Sequence, residues 1–191
     1  MSSTNRGGAR RDGDTYYTPD AVARACVTTL PSPQTGEWIL EPSAGGGAFM
    51  RAAKTRWPAA NILGVDIDPY APIAYAADFR VLCVDFLQYN PPTKPAWVIG
   101  NPPFSDAEAH VRHALKLAIV GVAFLLRLAF LESTKRAAFW GEHPPAEVHV
   151  LSRRPSFTGG GTDSAAYGWF VWTIGHQAEA PRLFWLDWSK A

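Results

Sequence analysis

Residues 37–47 read Glu37-Trp38-Ile39-Leu40-Glu41-Pro42-Ser43-Ala44-Gly45-Gly46-Gly47. An apolar run closes on an acid, a proline and three glycines, and a stretch with helical spacing follows near 48–57. That is a strand, a tight turn and a helix. The unit recurs on both sides of this point. A helix precedes it, with Thr18 expected as N-cap, Pro19 at the first helical position and an apolar face of Val22, Cys26, Val27 and Leu30. After it, strands are expected near 62–66, 79–84 and 96–100, the last two apolar enough to be buried on both faces. A short helix opens at Pro69 behind an Asp68 cap, and Ser105 with Glu108 forms a capping box for a helix to Leu117. The uncharged run 117–126 supplies a fifth strand, a helix lies near 130–140, and strands follow near 146–151, 167–174 and 182–188. Helix and strand alternate until strand follows strand. The expected class is doubly wound α/β, with a mostly parallel sheet and an antiparallel hairpin at one edge.

Composition bounds the rest. A chain of 191 residues and 20.9 kDa buries roughly 70% of its unfolded surface, enough for one core. The expected organisation is a disordered polar head, 1–14, and a single domain, 15–191. Lys+Arg 18 against Asp+Glu 17 leaves a net charge of +1, so no global field draws in nucleic acid. The two cysteines, Cys26 and Cys83, have no metal or redox spacing and are expected as reduced core residues. No signal peptide or membrane-length apolar run is visible, and a cytoplasmic location is expected.

In a doubly wound sheet, ligands sit beyond the carboxyl ends of the strands, where strand order reverses. Four such ends carry chemistry: Glu41 to Gly47, Asp66-Ile67-Asp68-Pro69, Asp85-Phe86-Leu87 and Asn101-Pro102-Pro103-Phe104. The glycine turn lets backbone approach a ligand, but its spacing is neither that of a triphosphate loop nor that of a dinucleotide site. Asp66 follows Glu41 by 25 residues, near the separation at which an acid accepts bonds from ribose hydroxyls. Asp85 suits the amine of an adenine covered by Ile67 and Phe86. Asn-Pro-Pro-Phe is the most specific of the four. Its prolines hold Asn101 extended, so the side-chain amide and the Pro102 carbonyl point at one spot as a pair of acceptors. Such a pair binds both hydrogens of a planar amino group and frees its lone pair for attack on a methyl sulfonium. Phe104 can stack on the substrate ring.

The ordered set TPDAV, EPSAGGGAF, GVDIDP, DFL and NPPF resembles the S-adenosylmethionine-dependent amino-group methyltransferases, especially the DNA adenine-N6 branch. The resemblance covers about Tyr16 to Phe104 closely. It implies a Rossmann-like, seven-stranded methyltransferase sheet and S-adenosylmethionine as cofactor. Thr18, Glu41 and Ala44 would hold the methionine part, and Tyr17, Pro42, Ser43 and Gly45 would also bind the cofactor. Asp66 and Ile67 would take ribose and adenine, Asp85 and Phe86 adenine, and Asn101 to Phe104 the target base, with Asn101 also against the cofactor. Metal is not required.

Enzymes of this branch usually append a target-recognition domain, for which 191 residues leave no space. Recognition is therefore expected to be loose, or to come from short elements or a second subunit. The candidates are Arg6, Arg10 and Arg11, and the loop from Arg153 and Arg154 through Phe157 to Asp163. Residues 112–154 hold seven basic and three acidic side chains, a local +4 suited to phosphates or simply to solvent. A base taken out of a duplex needs an aromatic sandwich; Phe104 is one side, and Phe157 or Tyr167 the other unless they pack in the core. The expected reaction is methyl transfer to adenine N6 in DNA with low or short-site specificity. RNA adenine, protein glutamine, cytosine N4 and a non-catalytic cofactor-binding subunit are the alternatives.

Overall fold

The computed structural model describes residues 17–157, 163–175 and 180–191. The expected polar head and Arg6, Arg10 and Arg11 lie outside the described residues, as do 158–162 of the recognition loop.

Eight strands join in one sheet: β1 (Trp38–Glu41), β2 (Asn61–Asp66), β3 (Arg80–Cys83), β4 (Trp97–Gly100), β5 (Gly121–Arg127), β6 (Glu147–Leu151), β7 (Tyr167–Thr173) and β8 (Arg182–Leu186). Their spatial order is β3-β2-β1-β4-β5-β7-β6-β8. β1 to β5 run parallel, and β7 alone is antiparallel to both its neighbours, β5 and β6. The antiparallel hairpin is thus β6 with β7. β8, expected near 182–188, makes the sheet one strand larger than the seven-stranded sheet the resemblance implies, and lies parallel to β6 on the outer edge.

Period-two alternation sorts the apolar residues onto two faces. Ile39, Ile99, Ala123, Leu125, Trp169 and Val171 face α1 (Asp20–Thr28) and α2 (Ala48–Arg56), which bury Val22, Cys26, Val27, Phe49 and Ala53 against them. Leu40, Val98, Val122, Phe124, Leu126 and Phe170 face α3 (Ala107–Leu117) and α4 (Ala137–Glu142), with Val111, Ala114 and Phe139 between. Each face has its own helical layer, which makes the sheet doubly wound. Among the described residues no helix is long and apolar enough to cross a membrane.

Several local expectations fail for tertiary reasons. Thr18 does not cap α1; Pro19 stands at the cap without a side-chain bond, and the Thr18 hydroxyl turns to Asn101. No helix opens at Pro69, because Asp68 accepts from Tyr70 N–H in a turn, and a 3-10 turn waits until Pro72–Tyr75. The Ser105–Glu108 capping box is replaced by a 3-10 turn, Phe104–Asp106, with Ser105 bonded to Asp106. β3 is an edge strand, so its residues are half-covered and Cys83 is exposed, while Cys26 is buried. The fifth strand begins at Gly121, since α3 keeps Leu117. The expected helix over 130–140 breaks into two 3-10 turns and the short α4, with Ser133 at φ 143° between them.

Candidate functional site

β2 leaves β1 toward one edge of the sheet while β4 and β5 lie on the other side, so order reverses between β1 and β4. The crevice beyond their carboxyl ends is where this class places ligands. A cleft of about 610 Å³ opens there, lined by Tyr17, Pro42, Ser43, Gly45, Asp66, Ile67, Asp85, Phe86, Leu87, Asn101 to Phe104, Asp106 and His110. A smaller hollow adjoins it and shares Tyr17, Ser43, Gly45 and Asn101; Thr18, Glu41 and Ala44 line it too. The four loaded strand ends therefore meet, although they span 41–104 in sequence.

The glycine turn is held from several sides. Gly47 has φ +75°, and a β-carbon there would lie 2.3 Å from Ile73 Cδ1, so only glycine fits. The ring of Tyr17 covers Gly46, within 3.1 Å of where a β-carbon would sit. Asp66 Oδ2 accepts from Gly45 N–H at 2.7 Å, and its Oδ1 accepts from Asp68 N–H at 2.9 Å. Each oxygen keeps a lone pair for the cleft. Arg51 donates to Gly46 O and pairs with Asp20, linking α2, the turn and α1.

Glu41 is 3% exposed and accepts from Met50 N–H at 3.0 Å. Burial pushes its carboxyl well above the usual carboxylate range, with the Asp66 charge adding to the rise. A cation in the adjoining hollow would restore the charged form. Asp85 caps a 3-10 turn, Phe86–Gln88, by accepting from Leu87 N–H at 2.9 Å. Phe86 is fixed between two histidines of α3: His110 stacks on it at 5.2 Å and His113 meets it edge-on at 4.9 Å. His110 Nδ1 lies 3.0 Å from Asp106 O, so that nitrogen carries the proton. Burial holds the His110 pKa down, keeping it neutral. Among the described residues no group of three or more potential ligands is placed to hold a metal.

Asn101 stands at the junction of the two hollows. Its Nδ2 donates to Thr18 Oγ1 at 3.1 Å, while its Oδ1 is buried and has no hydrogen-bond partner among the described residues. The Pro103 carbonyl is taken by Asp106 N–H. Phe104 is half-buried on the cleft wall, with Arg127 Cζ 4.6 Å from its ring centroid. A buried acceptor left open at a cleft is costly unless something fills it.

No family model matches the chain. It is 30% identical over 99 residues to the type II methyltransferase M.XamI of Xanthomonas campestris pv. amaranthicola, covering 46% of this chain and 19% of that protein. To the type II methyltransferase M.CvrRI of Paramecium bursaria Chlorella virus XZ-6E it is 29% identical over 106 residues, covering 54% and 28%. The chain thus spans less than a third of the length of these curated relatives. In three dimensions it resembles a Listeria monocytogenes protein assigned to the class I S-adenosylmethionine-dependent methyltransferases, with TM-score 0.70, 14% identity, and 94% and 68% of the two chains covered. It also resembles the type I restriction-modification methyltransferase subunit of Streptococcus thermophilus, with TM-score 0.69, 17% identity, and 92% and 48% covered. The fold is that of S-adenosylmethionine-dependent methyltransferases.

In that frame every residue expected at the cofactor lines one of the two hollows. Of the residues expected on the target, Asn101 to Phe104 line the cleft, and Phe157, Tyr167, Arg153 and Arg154 do not. Phe157 and Tyr167 are buried, 8% and 1% exposed, and pack against each other with ring centroids 5.0 Å apart; neither lines the cleft. Tyr167 supports Phe104 from behind, at 5.7 Å. Arg153 and Arg154 are exposed and do not line it either. Of the local basic excess, Arg112 is neutralised by Glu108 and Glu142. His110 and Arg127 are the side chains that motif reading passed over. In sequence His110 shows only a partner three residues on, His113, and Arg127 only a charge after the uncharged run 117–126.

Proposed function

We propose that the chain transfers a methyl group from S-adenosylmethionine to the N6 amino group of adenine in DNA. The observation that carries this reading is Asn101: its amide nitrogen is held by Thr18, and its oxygen is buried and has no partner among the described residues, on a side chain that lines both hollows. The residues fit the cofactor. Glu41, Thr18 and Ala44 line the inner hollow, suited to an amino-acid group, and Asp66, Ile67, Asp85 and Phe86 line the outer cleft, suited to a nucleoside. The cleft volume lies within the range of small-molecule sites. S-adenosylmethionine supplies an electrophilic methyl group on a sulfonium.

The chain's own residues do the rest. Asn101 Oδ1 and the Pro102 carbonyl accept the two hydrogens of the target amino group and draw its lone pair out of the ring. With the cofactor bound, the freed nitrogen lone pair would be aimed at the electrophilic methyl group it supplies, and the spare N–H proton would pass to solvent. Phe104 holds the base by stacking, which offsets the few kcal/mol of unstacking. The names of both curated relatives, type II methyltransferases, support DNA as the substrate class. A single domain acting inside the cell accords with this reading, and a further recognition element, on this chain or a partner, accords with the relatives' greater length.

The test offers protein and labelled S-adenosylmethionine to DNA, RNA and polypeptide in parallel. Label in DNA, released as N6-methyladenine, is the expected result. Label confined to RNA or polypeptide would overturn the reading.

A further inference from the structure

Arg127 ends β5 on the same edge of the sheet as the loaded strand ends, yet it belongs to none of their motifs. Its guanidinium carbon lies 4.6 Å from the centroid of the Phe104 ring, which lines the cleft. Its Nε donates to the Tyr167 hydroxyl at 3.4 Å. That hydroxyl has one hydrogen, and it is given to Asp163 Oδ2 at 2.7 Å, so the oxygen's lone pair is what faces Arg127. Asp163 is itself fixed by Ala165 N–H at 3.0 Å. Against the opposing effect of burial, the Ala165 N–H, then the Tyr167 hydroxyl and the Arg127 charge, hold the Asp163 carboxyl below its ordinary value. A chain of contacts, Asp163 to Tyr167 to Arg127 to Phe104, thus ties the arginine to the aromatic wall of the cleft.

The anchoring uses one of five N–H donors. Arg112 and Arg182 are paired with carboxylates, whereas Arg127 makes no salt bridge among the described residues, and its terminal nitrogens have no partner there. Arg127 is exposed, and those four donors are unpaired among the described residues beside the Phe104 wall of the cleft. A planar guanidinium stacked on a ring and open at its fork is built for bidentate recognition of a phosphate. A base stacked on Phe104 would carry its own phosphodiester past the edge of that ring, toward the fork.

Resting on the DNA reading above, we infer that Arg127 is a substrate-binding residue which grips a backbone phosphate of the target nucleotide while its guanidinium backs Phe104. Strand binding and base insertion are then coupled through one side chain. Tyr167 and Asp163 are positioning residues for it.

The experiment compares wild type, Arg127→Ala and Arg127→Lys. Methylation of DNA is measured as kcat and KM, S-adenosylmethionine affinity by calorimetry, and affinity for a fluorescein-labelled, adenine-containing oligonucleotide by anisotropy over a salt series. Arg127→Ala should raise KM for DNA by about 10- to 100-fold, as loss of a charge-assisted contact does. Its slope of log affinity against log salt should become shallower by about 0.7 to 0.9. Cofactor affinity stays at the wild-type value. Arg127→Lys should restore the salt slope, since it keeps the point charge, and only part of KM, since it loses the stacked fork. Because the side chain is exposed, Arg127→Ala should lower the melting temperature by no more than the loss of one hydrogen bond and one ring contact does, and the fold should stay intact. Normal KM and salt slope in Arg127→Ala, with wild type active on DNA, would overturn this inference alone. A wild type that methylates only RNA or protein would overturn the functional reading, and this inference with it.

Discussion

Asp66→Ala separates two roles that one carboxylate plays. Its oxygens accept from Gly45 N–H at 2.7 Å and Asp68 N–H at 2.9 Å, so it braces the glycine turn before any ligand arrives. Hydrogen bonds to a charged group contribute about 1.5 to 3 kcal/mol when shielded, and much less when exposed. The Gly45 contact is partly buried and the Asp68 contact exposed, so a combined loss of about 2 kcal/mol is expected. For a chain of this size that lowers Tm by about 4 to 8 °C. The second role is binding. If ribose hydroxyls use the remaining lone pairs, S-adenosylmethionine affinity falls by a further 1.5 to 3 kcal/mol, or about 10- to 150-fold. Calorimetry well below the melting transition reads the second number without the first. A lowered Tm with unchanged cofactor affinity would refute the ribose assignment and leave Asp66 as a strut for the turn.

Glu41→Gln should raise the Tm of the cofactor-free protein at neutral pH and weaken S-adenosylmethionine binding at least about 10-fold. Its folded pKa is raised by burial, so ionising it costs stability as pH rises above the unfolded value, and the amide removes that cost. A Tm that falls on substitution would contradict this. His110 has a folded pKa below its ordinary 6.5, so the unfolded chain takes up protons first, and stability should decline as pH drops below about 6.5. Melting curves of His110→Gln should show a shallower decline over that window; an identical pH profile would rule out His110 as a source. Gly47→Ala meets both a positive φ and Ile73, and should cost about 2 to 4 kcal/mol by chemical denaturation. A loss under about 0.5 kcal/mol, the scale of ordinary surface changes, would show that the turn is not constrained as described.

The parallel core was legible because β1, β4 and β5 are apolar on both faces and each ends abruptly: on Glu41-Pro42, on Asn101-Pro102 and, for β5, at Arg127. The hollows were legible because residue types that need a ligand stood at consecutive strand ends. What escaped was decided by tertiary competition. Thr18 has the right place for a helix cap, but Asn101, 83 residues away, takes its hydroxyl. Tyr167 and Phe157 read equally well as base-stacking or packing rings; only the sheet, which buries them behind Phe104, chooses. Arg127 was legible as the end of β5 but not as part of the site, because nothing in sequence links it to Phe104, and Cys83 looked apolar because an edge strand and a central strand share one pattern.

The proposed activity depends on Asn101 presenting an acceptor to the amino group of adenine in DNA. Nucleoside mass spectrometry on DNA and RNA from cells expressing the wild type or Asn101→Ala tests it most directly. The expected result is N6-methyladenine in DNA with the wild type, absent with Asn101→Ala although the purified variant still binds S-adenosylmethionine. N6-methyladenine in DNA at equal levels from both proteins, or methylation in RNA alone, would contradict it.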